Sequence, residues 1–292
     1  MNKLTIMVGL PASGKSTYAK RFESENTIVL SSDEFRKRLL GDENSQENND
    51  LVFKTLYKEA RELLKIGKNV IIDATNINIK ARRRVLSNFS DLDIVREACV
   101  MATPYGICVE NDKNRSRTVG EDVIKKFLCR FEIPMQYEGF DQVIIHKAEV
   151  QEGLELIEEA MNGFDQKNDH HKHSLRLHCE LCALEVNEIT DCLSLFNAAR
   201  YHDIGKLFTQ TFGGDGQAHY YSHHNVGAYY YMCSYGIGDV NEIFYINFHM
   251  QPFFWKEDKT HAKYKKLFGD FLYGNLMILH KCDKIASGTR SV

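Results

Sequence analysis

The stretch KLTIMVGLPASGKST, residues 3–17, passes from an apolar run into a glycine-rich loop and then into a helical pattern. Its second part matches G-x-x-x-x-G-K-[ST], in which glycines let backbone N–H groups face a phosphate and the following helix adds its positive end. Because the motif lies between a strand pattern and a helix pattern, it predicts a phosphate-binding loop for a nucleoside triphosphate. The residues expected to contact the nucleotide are Gly9, Ser13, Gly14, Lys15, Ser16 and Thr17.

Two side chains of this loop have separate predicted roles. Lys15 is expected to reach the β- and γ-phosphates and to stabilise the charge on the transferred group. Ser16 is expected to hold Mg²⁺. ATP or another nucleoside triphosphate, together with Mg²⁺, is therefore the predicted cofactor.

Four further apolar runs repeat the strand pattern of residues 3–8. They cover residues 27–30, 69–72, 94–101 and 142–145. Helical patterns separate them, at residues 15–23, 50–65, 80–88, 105–111 and 121–130. This alternation predicts an α/β fold with a parallel sheet and helices on both faces. A polar stretch at residues 162–169 lacks periodicity, and helical segments dominate after it. We therefore predict an α/β domain over residues 1–163 and an all-α domain over residues 164–292.

Two carboxylates follow predicted strands of the sheet. Asp33 comes shortly after the run 27–30, and Asp73 ends the run 69–72. Since ligands of open parallel sheets bind at the carboxyl ends of the strands, both side chains are expected to point toward the triphosphate. One of them could accept a proton from an acceptor hydroxyl, and the other could order Mg²⁺.

Five segments in order resemble the kinase domain of phage and bacterial polynucleotide kinases. They lie between residues 3 and 147 and read GLPASGKST, SSDEFRKRL, DATNINIKARRR, NRSRTVGEDVI and RFEIPMQYEGFDQV. The resemblance implies that Asp33 is the general base for a 5′-hydroxyl and that Arg36 contacts the acceptor's phosphate. It also implies that the segment that begins at Asp73 shapes the acceptor and metal site. The segment NRSRTVGEDVI, residues 114–124, matches the family's lid over the donor, and its arginines Arg115 and Arg117 are implied to contact the donor phosphates.

The lid segment departs from this family pattern at two places. Gly120 stands where proline is common, and Glu110, Asn111 and Asp112 stand where an arginine is often found. The departures leave open which lid arginine acts on the donor.

Histidine is concentrated in the second half of the chain. His202 and Asp203 are adjacent, His173 lies on the preceding helical segment and Asp283 on the last one. Imidazole and carboxylate ligands, with positions left for water, suit a divalent ion used in hydrolysis. The order H…HD…D therefore predicts a metal site formed by these four residues.

Over residues 170–290 this pattern resembles the HD phosphohydrolase superfamily. The resemblance implies that His223 and His249 help to hold a second metal and that Lys206 could contact a substrate phosphate. Because imidazole ligands favour transition metals over Mg²⁺, the expected ion is Mn²⁺, Ni²⁺, Co²⁺ or Fe²⁺. Four other histidines carry weaker expectations, and the first two are expected on the surface: His170, His171, His219 and His224.

Composition sets broad limits on the class of protein. The net charge of −3, with 43% hydrophobic and 26% charged residues, is typical of a globular protein and does not indicate a basic nucleic-acid-binding domain. No apolar run approaches the ~20 residues of a membrane span, and no signal peptide is evident. Eight scattered cysteines favour reduced thiols, so a cytoplasmic location without membrane contact is expected.

Two smaller features are interpreted as structural. The pair Cys179 and Cys182 is expected on a buried helix face, and basic clusters such as residues 82–84 are expected on solvated helix faces.

Together the two resemblances imply a bifunctional enzyme that heals nucleic-acid ends. It would phosphorylate 5′-OH ends of RNA or DNA, with RNA favoured, and remove 2′,3′-cyclic, 3′ or 2′ terminal phosphate, with an RNA ligase acting downstream. One alternative is a small-molecule or nucleoside kinase fused to a nucleotide phosphohydrolase. Another is a nucleotide-binding regulatory module with a non-catalytic second half. The oligomeric state stays open.

Overall fold

The computed structural model describes residues 1–45, 47–149, 153–167, 172–214, 216–234 and 239–288. It divides into two compact units by internal contacts. Unit 1 comprises residues 1–127 and 134–149, and unit 2 comprises residues 128–133 and 150–292.

Unit 1 is built on five parallel strands. The strand order is β2-β3-β1-β4-β5, and every neighbouring pair is parallel. This arrangement confirms the predicted parallel α/β sheet. Four of the five predicted runs lie within an observed strand, and the run 94–101 begins one residue before its strand. The strands are β1 (Lys3–Val8), β2 (Thr27–Ser31), β3 (Asn69–Asp73), β4 (Val95–Ala102) and β5 (Gln142–Lys147).

The burial of the strands follows from their positions in the sheet. The central strand β1 is buried from Leu4 to Val8, as expected for a parallel strand with both faces covered. The edge strand β5 is less buried, and Ile144 on it is 43% exposed. Continuous apolar runs therefore mark the middle of the sheet.

The described residues of this part of the chain form six α-helices. Five of them overlap the predicted helical patterns. Helix α2 was not predicted, because it begins directly where β2 ends and most of its residues are polar. The helices are α1 (Lys15–Lys20), α2 (Ser32–Leu40), α3 (Asn49–Lys65), α4 (Ile79–Ser87), α5 (Tyr105–Asn114) and α6 (Glu121–Leu128).

Unit 2 is mainly helical, with one short hairpin that departs from the all-α expectation. Helix α8 packs against α9 and α13, and α12 packs against α9 and α11. Within α13, Gly269 has a non-helical φ of 79° and kinks the helix. The elements are α7 (Leu154–Asn162), α8 (Leu175–Asn187), α9 (Leu193–Tyr201), α10 (Lys206–Thr209), β6 (Thr211–Phe212), β7 (Ala218–His219), α11 (His223–Cys233), α12 (Val240–Phe248) and α13 (Asp258–Ala286).

The boundary between the units differs from the one expected at residues 163/164. The contact division falls after residue 149, because α7 packs against α8 and so groups with unit 2.

Residues 128–133 also group with unit 2, and side-chain amides on its helices bind their backbone. Asn247 accepts a hydrogen bond from the backbone N–H of Ile133 at 2.8 Å and donates one to the carbonyl of Phe131 at 3.0 Å. Asn225 donates to the carbonyl of Cys129 at 2.7 Å. Such long-range contacts have no signature in the local sequence.

Two features of composition are visible in the described part of the chain. Cys179 and Cys182 are free and fully buried on α8, which confirms the expected buried helix face. None of the helices described combines the length and the apolar character that a membrane span requires.

Candidate active sites

The phosphate-binding loop connects β1 to α1. Ala12 and Gly14 have left-handed φ values of 59° and 86°, and the N–H of Ser13 donates to the carbonyl of Leu10 at 3.2 Å. A Cβ atom at Gly9 would lie 2.8 Å from Ser13 Oγ, closer than side chains tolerate. The loop therefore needs glycine at its first position.

The predicted loop residues divide into buried and exposed groups. Lys15 is buried, and its ammonium donates to the carbonyls of Gly9 at 3.1 Å and Leu10 at 2.6 Å. Burial lowers the pKa of Lys15, and the nearby Asp73 carboxylate opposes this shift. Gly14, Ser16 and Thr17 are exposed and can be reached by a ligand.

Ser16, the expected Mg²⁺ ligand, contacts Asp73, one of the two carboxylates expected near the triphosphate. Ser16 Oγ donates to Asp73 Oδ2 at 2.6 Å, and Asp73 is 5% exposed. The neighbouring carbonyl of Thr75 accepts from the N–H of Gly9 at 3.1 Å. The carboxyl end of β3 is thus joined to the loop that follows β1, and hydroxyl and carboxylate oxygens are ligands that Mg²⁺ prefers.

Asp33 lies between two arginines. Arg36 Nη1 is 2.8 Å from its Oδ1, and Arg117 Nη1 is 2.5 Å from its Oδ2. The Asp33 side chain is 46% exposed, whereas Arg36 is buried and also donates to Asn49 Oδ1 at 3.2 Å. Asp33 is therefore open to an acceptor molecule from solvent while positive charge flanks it.

The lid segment is organised by Asp112. This buried carboxylate pairs with Arg115 and accepts the backbone N–H groups of Val119 at 3.0 Å and Gly120 at 2.9 Å. Burial tends to raise the pKa of Asp112, but the hydrogen bonds from Gly120, Val119 and Arg115 outweigh it and lower the pKa.

Both departures of the lid from the family pattern now have a physical reason. Gly120 has a φ of 88° and donates its N–H to Asp112, and proline allows neither. Asn111 donates from Nδ2 to the carbonyl of Ala12 at 3.1 Å, so it binds the phosphate-binding loop.

A buried ion pair supports the segment after β3. Arg82 and Glu138 are fully buried and make two hydrogen bonds, at 2.8 and 2.7 Å. Arg82 also donates to the carbonyl of Asn76 at 3.2 Å, and Asn76 Nδ2 donates to the carbonyl of Met7 at 2.9 Å. The expected solvated face at residues 82–84 is therefore wrong for Arg82, because Glu138 pairs with it inside unit 1.

In unit 2, one group of histidine and aspartate side chains that could hold a metal ion includes the adjacent His202 and Asp203. The Nε2 atoms of His178 and His202 are 3.2 Å apart, and they lie 3.4 and 3.5 Å from Asp203 Oδ2. Asp283 Oδ1 is 3.2 Å from His178 Nε2 and 3.6 Å from His202 Nε2. All four side chains are buried.

A second group faces the other oxygen of Asp203. Its Oδ1 lies 3.2 Å from His223 Nε2 and 3.5 Å from His249 Nε2, and these two nitrogens are 3.2 Å apart. Asp203 therefore presents one oxygen to each group and could bridge two ions.

The outer nitrogens of three histidines are held by backbone carbonyls. His202, His223 and His249 each donate from Nδ1 to a carbonyl oxygen, at 2.8, 2.7 and 2.8 Å. The neutral rings therefore carry their lone pairs on Nε2, toward Asp203. Lone pairs and carboxylate oxygens that converge at 3.2–3.6 Å fit divalent cations in both groups.

Two glycines allow these groups to come together. A Cβ at Gly205 would lie 1.9 Å from the carbonyl oxygen of His223, and one at Gly227 would lie 2.9 Å from the nitrogen of Gly205. The turn after Asp203 can therefore approach the start of α11, which places His223 beside Asp203.

The predicted ligand His173 belongs to neither group, and His178 takes its place. His173 precedes the helix, whose N-cap is Ser174, and its carbonyl accepts from Gln166. His178 lies on the buried stripe of α8 with Leu175 and Cys179. The i, i+3, i+4 spacing of that stripe is the signal that could have identified His178.

Lys206 is directed to Asp203 rather than to open solvent. Its Nζ lies 2.6 Å from Asp203 Oδ2 and 2.8 Å from Gln166 Oε1, and the residue is 4% exposed. Burial by itself would raise the pKa of Asp203. The positive charges of Lys206 and His202 outweigh this effect and hold the pKa well below its usual range. The Asp203 carboxylate is therefore ionised.

The remaining histidines lie outside the two groups. The ring of half-buried His224 is 6.3 Å from that of His249, and burial together with His223 lowers the pKa of His224 to about 3. His219 lies on β7. His170 and His171 fall outside the described residues.

Comparisons with known proteins give a family match within the N-terminal part of the chain and one curated relative. Residues 4–134 match the family model described as AAA domain. The L-seryl-tRNA(Sec) kinase of Methanococcus maripaludis is 24% identical over 179 residues, which cover 56% of this chain and 67% of that protein.

Two solved structures are also similar. A chain in the Pnkp1/Rnl/Hen1 RNA repair complex is 27% identical, with a TM-score of 0.40 and coverage of 43% of this chain and 42% of that chain. A chain in another Pnkp1/Rnl/Hen1 complex is 30% identical, with a TM-score of 0.35 and coverage of 40% of each chain. The chain thus spans less than half the length of these two. Residues 4–134 include the phosphate-binding loop, Asp33, Asp73, Arg115 and Arg117, together with strands β1 to β4 except Lys3. The match to this family model and the parallel α/β sheet are consistent with a P-loop kinase fold.

Proposed function

We propose that this chain phosphorylates 5′-OH polynucleotide ends, with RNA favoured, and removes 2′,3′-cyclic, 3′ or 2′ terminal phosphate at a second, metal-dependent site. The observation that supports the proposal is that one chain contains two separate clusters of side chains suited to phosphate chemistry. One combines a triphosphate loop with the exposed carboxylate of Asp33, and the other gathers buried imidazoles around Asp203.

The kinase reaction follows from the contacts of unit 1. Asp33 accepts the proton of the acceptor hydroxyl while the hydroxyl oxygen forms a bond to the γ-phosphorus. The bond between the γ-phosphorus and the β–γ bridging oxygen breaks at the same time, and ADP leaves. Lys15 stabilises the charge on the transferred group. Ser16 and Asp73, whose oxygens are 2.6 Å apart, would hold Mg²⁺, and the ion would neutralise charge on the β- and γ-phosphates.

A nucleic-acid acceptor is favoured by the exposed arginine-flanked Asp33 and by the names of the similar proteins. Those proteins include a kinase named for a tRNA and chains of an RNA repair complex. An acceptor with phosphates suits a carboxylate that two guanidinium groups flank, because guanidinium binds phosphate oxygens.

The phosphohydrolase half rests on the two groups around Asp203. His178, His202, Asp203 and Asp283 would hold one ion, and Asp203, His223 and His249 a second. Bound ions would supply a water deprotonated at neutral pH and would neutralise phosphate oxygens. The carbonyls behind His202, His223 and His249 keep the rings in the ligating tautomer. A transition metal such as Mn²⁺, Ni²⁺, Co²⁺ or Fe²⁺ suits this donor set.

A second candidate function is a kinase for a different hydroxyl. It is favoured by the match to the L-seryl-tRNA(Sec) kinase, whose name indicates a seryl acceptor and which covers more of this chain than the two RNA repair chains do. A nucleoside or other small molecule as acceptor belongs to the same candidate.

One experiment separates these candidates. The protein is incubated with Mg²⁺, Mn²⁺, labelled ATP and an RNA that carries a 5′-OH and a 2′,3′-cyclic phosphate, and both ends are analysed. We expect a labelled 5′-phosphate and loss of the terminal cyclic phosphate. Transfer to a nucleoside or to seryl-tRNA at higher kcat/KM than to the RNA would favour the second candidate. If the terminal cyclic phosphate stays intact with Mn²⁺ and also with Ni²⁺, Co²⁺ and Fe²⁺, the proposed phosphohydrolase activity is wrong.

A further inference from the structure

Two asparagines lie close in sequence to the second group of ligands. Asn225 comes two residues after His223 on α11, and Asn247 comes two residues before His249, which directly follows α12. Asn247 Nδ2 donates to Asn225 Oδ1 at 2.9 Å, and the Nε2 atoms of His223 and His249 are 3.2 Å apart. The amide pair and the imidazole pair therefore join the same two helices.

The two pairs define the register of these helices. Two residues forward along α11 correspond to two residues back along α12, so the helices run antiparallel. A slip of one residue would move a side chain by about 1.5 Å along its helix, enough to break a hydrogen bond. It would also displace His223 and His249 from Oδ1 of Asp203, which lies 3.2 and 3.5 Å from their Nε2 atoms.

The backbone of residues 128–133 holds the amide pair. Asn247 Oδ1 accepts from the N–H of Ile133 at 2.8 Å, and its Nδ2 donates to the carbonyl of Phe131 at 3.0 Å as well as to Asn225. Asn225 Nδ2 donates to the carbonyl of Cys129 at 2.7 Å. Because a side-chain amide has only two N–H donors, these contacts fix the orientation of the Asn247 amide.

These contacts lie in the interior of unit 2. Asn247 is 1% exposed, and Phe131 and Ile133 are fully buried. The Phe131 ring meets that of Tyr229 on α11 edge-on, with the centroids 5.0 Å apart. Since hydrogen bonds between buried groups are costly to remove, residues 128–133 hold α11 and α12 in one register.

The first group of ligands lies on other elements. His178 is on α8, His202 directly follows α9 and Asp283 is on α13. These residues face Oδ2 of Asp203 or each other, whereas the amide pair joins only the helices that carry the second group. Loss of the amide pair is therefore expected to affect one ion much more than the other.

We infer that Asn225 and Asn247, held by residues 128–133, are positioning residues for the second group of ligands. They fix the register of α11 against α12 and so keep His223 and His249 at Oδ1 of Asp203. This inference rests on the proposed phosphohydrolase function. It makes a segment that follows α6 in the chain part of the hydrolase half.

The test counts bound ions and measures their affinities in the whole chain. Protein stripped with chelator is titrated with Mn²⁺, and we expect two ions per wild-type chain, one for each group. Asn247→Leu puts an apolar side chain of the same length in place of the amide. It should weaken the second ion by about 10–100-fold, the scale for residues that orient metal ligands, and leave the first ion nearly unchanged.

Hydrolysis gives a second readout of the same variant. Release of a 2′,3′-cyclic phosphate by Asn247→Leu should fall at low Mn²⁺ and recover at high Mn²⁺, because excess metal compensates for a weakened ion site. Asn225→Leu loses the contacts to Asn247 and Cys129 and should reproduce both effects.

A matched control separates positioning from a general loss of stability. Asn275→Leu removes another buried amide of unit 2, whose Nδ2 donates to the hydroxyl of Tyr245 at 2.9 Å and links α13 to α12. It should lower the unfolding temperature to a similar extent but keep both ions. Calorimetry of each variant gives the unfolding temperature and shows that it is folded.

The outcomes separate this inference from the proposed function. If Asn247→Leu binds two Mn²⁺ ions as tightly as the wild-type protein, the inference is wrong and the hydrolase site stands. Equal weakening of both ions, or the same loss of the second ion in Asn275→Leu, would also overturn it. A wild-type protein that binds no transition metal would exclude the metal site itself and the inference with it.

Discussion

Ser16 donates from Oγ to Oδ2 of Asp73 at 2.6 Å, although 57 residues separate them in the chain. The contact exists because β1 and β3 are neighbours and parallel, with Ile6 opposite Ile72, so their carboxyl ends lie at one edge of the sheet. The predicted Mg²⁺ ligand is therefore joined to a carboxylate from another strand before any nucleotide is considered. The donor site depends on this pairing.

Lys15→Ala should abolish most phosphate transfer. The variant loses the buried ammonium that stabilises charge on the transferred group, and such losses amount to about several kcal/mol, or orders of magnitude in rate. Transfer from labelled ATP to 5′-OH RNA measures the effect. Hydrolysis of terminal phosphate by unit 2 should continue nearly unchanged in the same preparation. Loss of both activities in a folded variant would contradict two independent sites.

Asp33→Asn should slow transfer while it preserves ATP binding. The amide keeps the shape of the side chain but cannot accept the hydroxyl proton, and the loss of a general base costs about 10²–10⁴-fold. Single-turnover transfer and nucleotide-binding titrations separate the two effects. Near-normal transfer would move the base role elsewhere, with Asp73 the first candidate.

His202→Ala combined with Asp203→Ala should remove bound transition metal and phosphohydrolysis. Both groups lose Asp203, and the first group also loses an imidazole. Metal analysis and release of terminal phosphate across Mn²⁺, Ni²⁺, Co²⁺, Fe²⁺ and Mg²⁺ give the readout. Kinase activity with Mg²⁺ should remain. Full hydrolysis by the wild-type protein in chelator would refute the metal-dependent mechanism.

His178→Ala and His173→Ala form a matched pair. His178 is buried 3.2 Å from His202 Nε2 and Asp283 Oδ1, whereas His173 is half-buried and precedes α8. The first variant should lose metal and hydrolysis by at least about 10-fold, the scale on which ligand support affects metal sites. The second should retain both. The opposite result would restore His173 as the ligand.

Arg82→Ala should destabilise the protein strongly. It leaves Glu138 as an unpaired buried carboxylate, which costs about 3–5 kcal/mol. Thermal unfolding followed by calorimetry measures the change, and the exposed Arg83→Ala is the control, with a small expected effect. If the two variants unfold at the same temperature, the buried pair does not support the fold.

Local sequence determined the sheet and the loop. The five apolar runs became the five strands because buried parallel strands need apolar side chains on both faces. The phosphate-binding loop could be predicted because its glycines and its lysine lie within one short motif, residues 9–16. Helix α2 was not predicted because most of its nine residues are polar, so its apolar periodicity is weak.

Only the tertiary structure decided which charged and imidazole side chains meet. His178 rather than His173 reaches Asp203, Arg82 is buried against Glu138, and Arg115 and Arg117 bind different carboxylates. A linear pattern shows that such residues are present, but their partners lie on elements far away in the chain. Packing of those elements sets the distances of a few ångströms on which ion pairing and metal binding depend. The sequence by itself therefore determined which types of chemistry are available, and the tertiary structure decided which side chains come into contact.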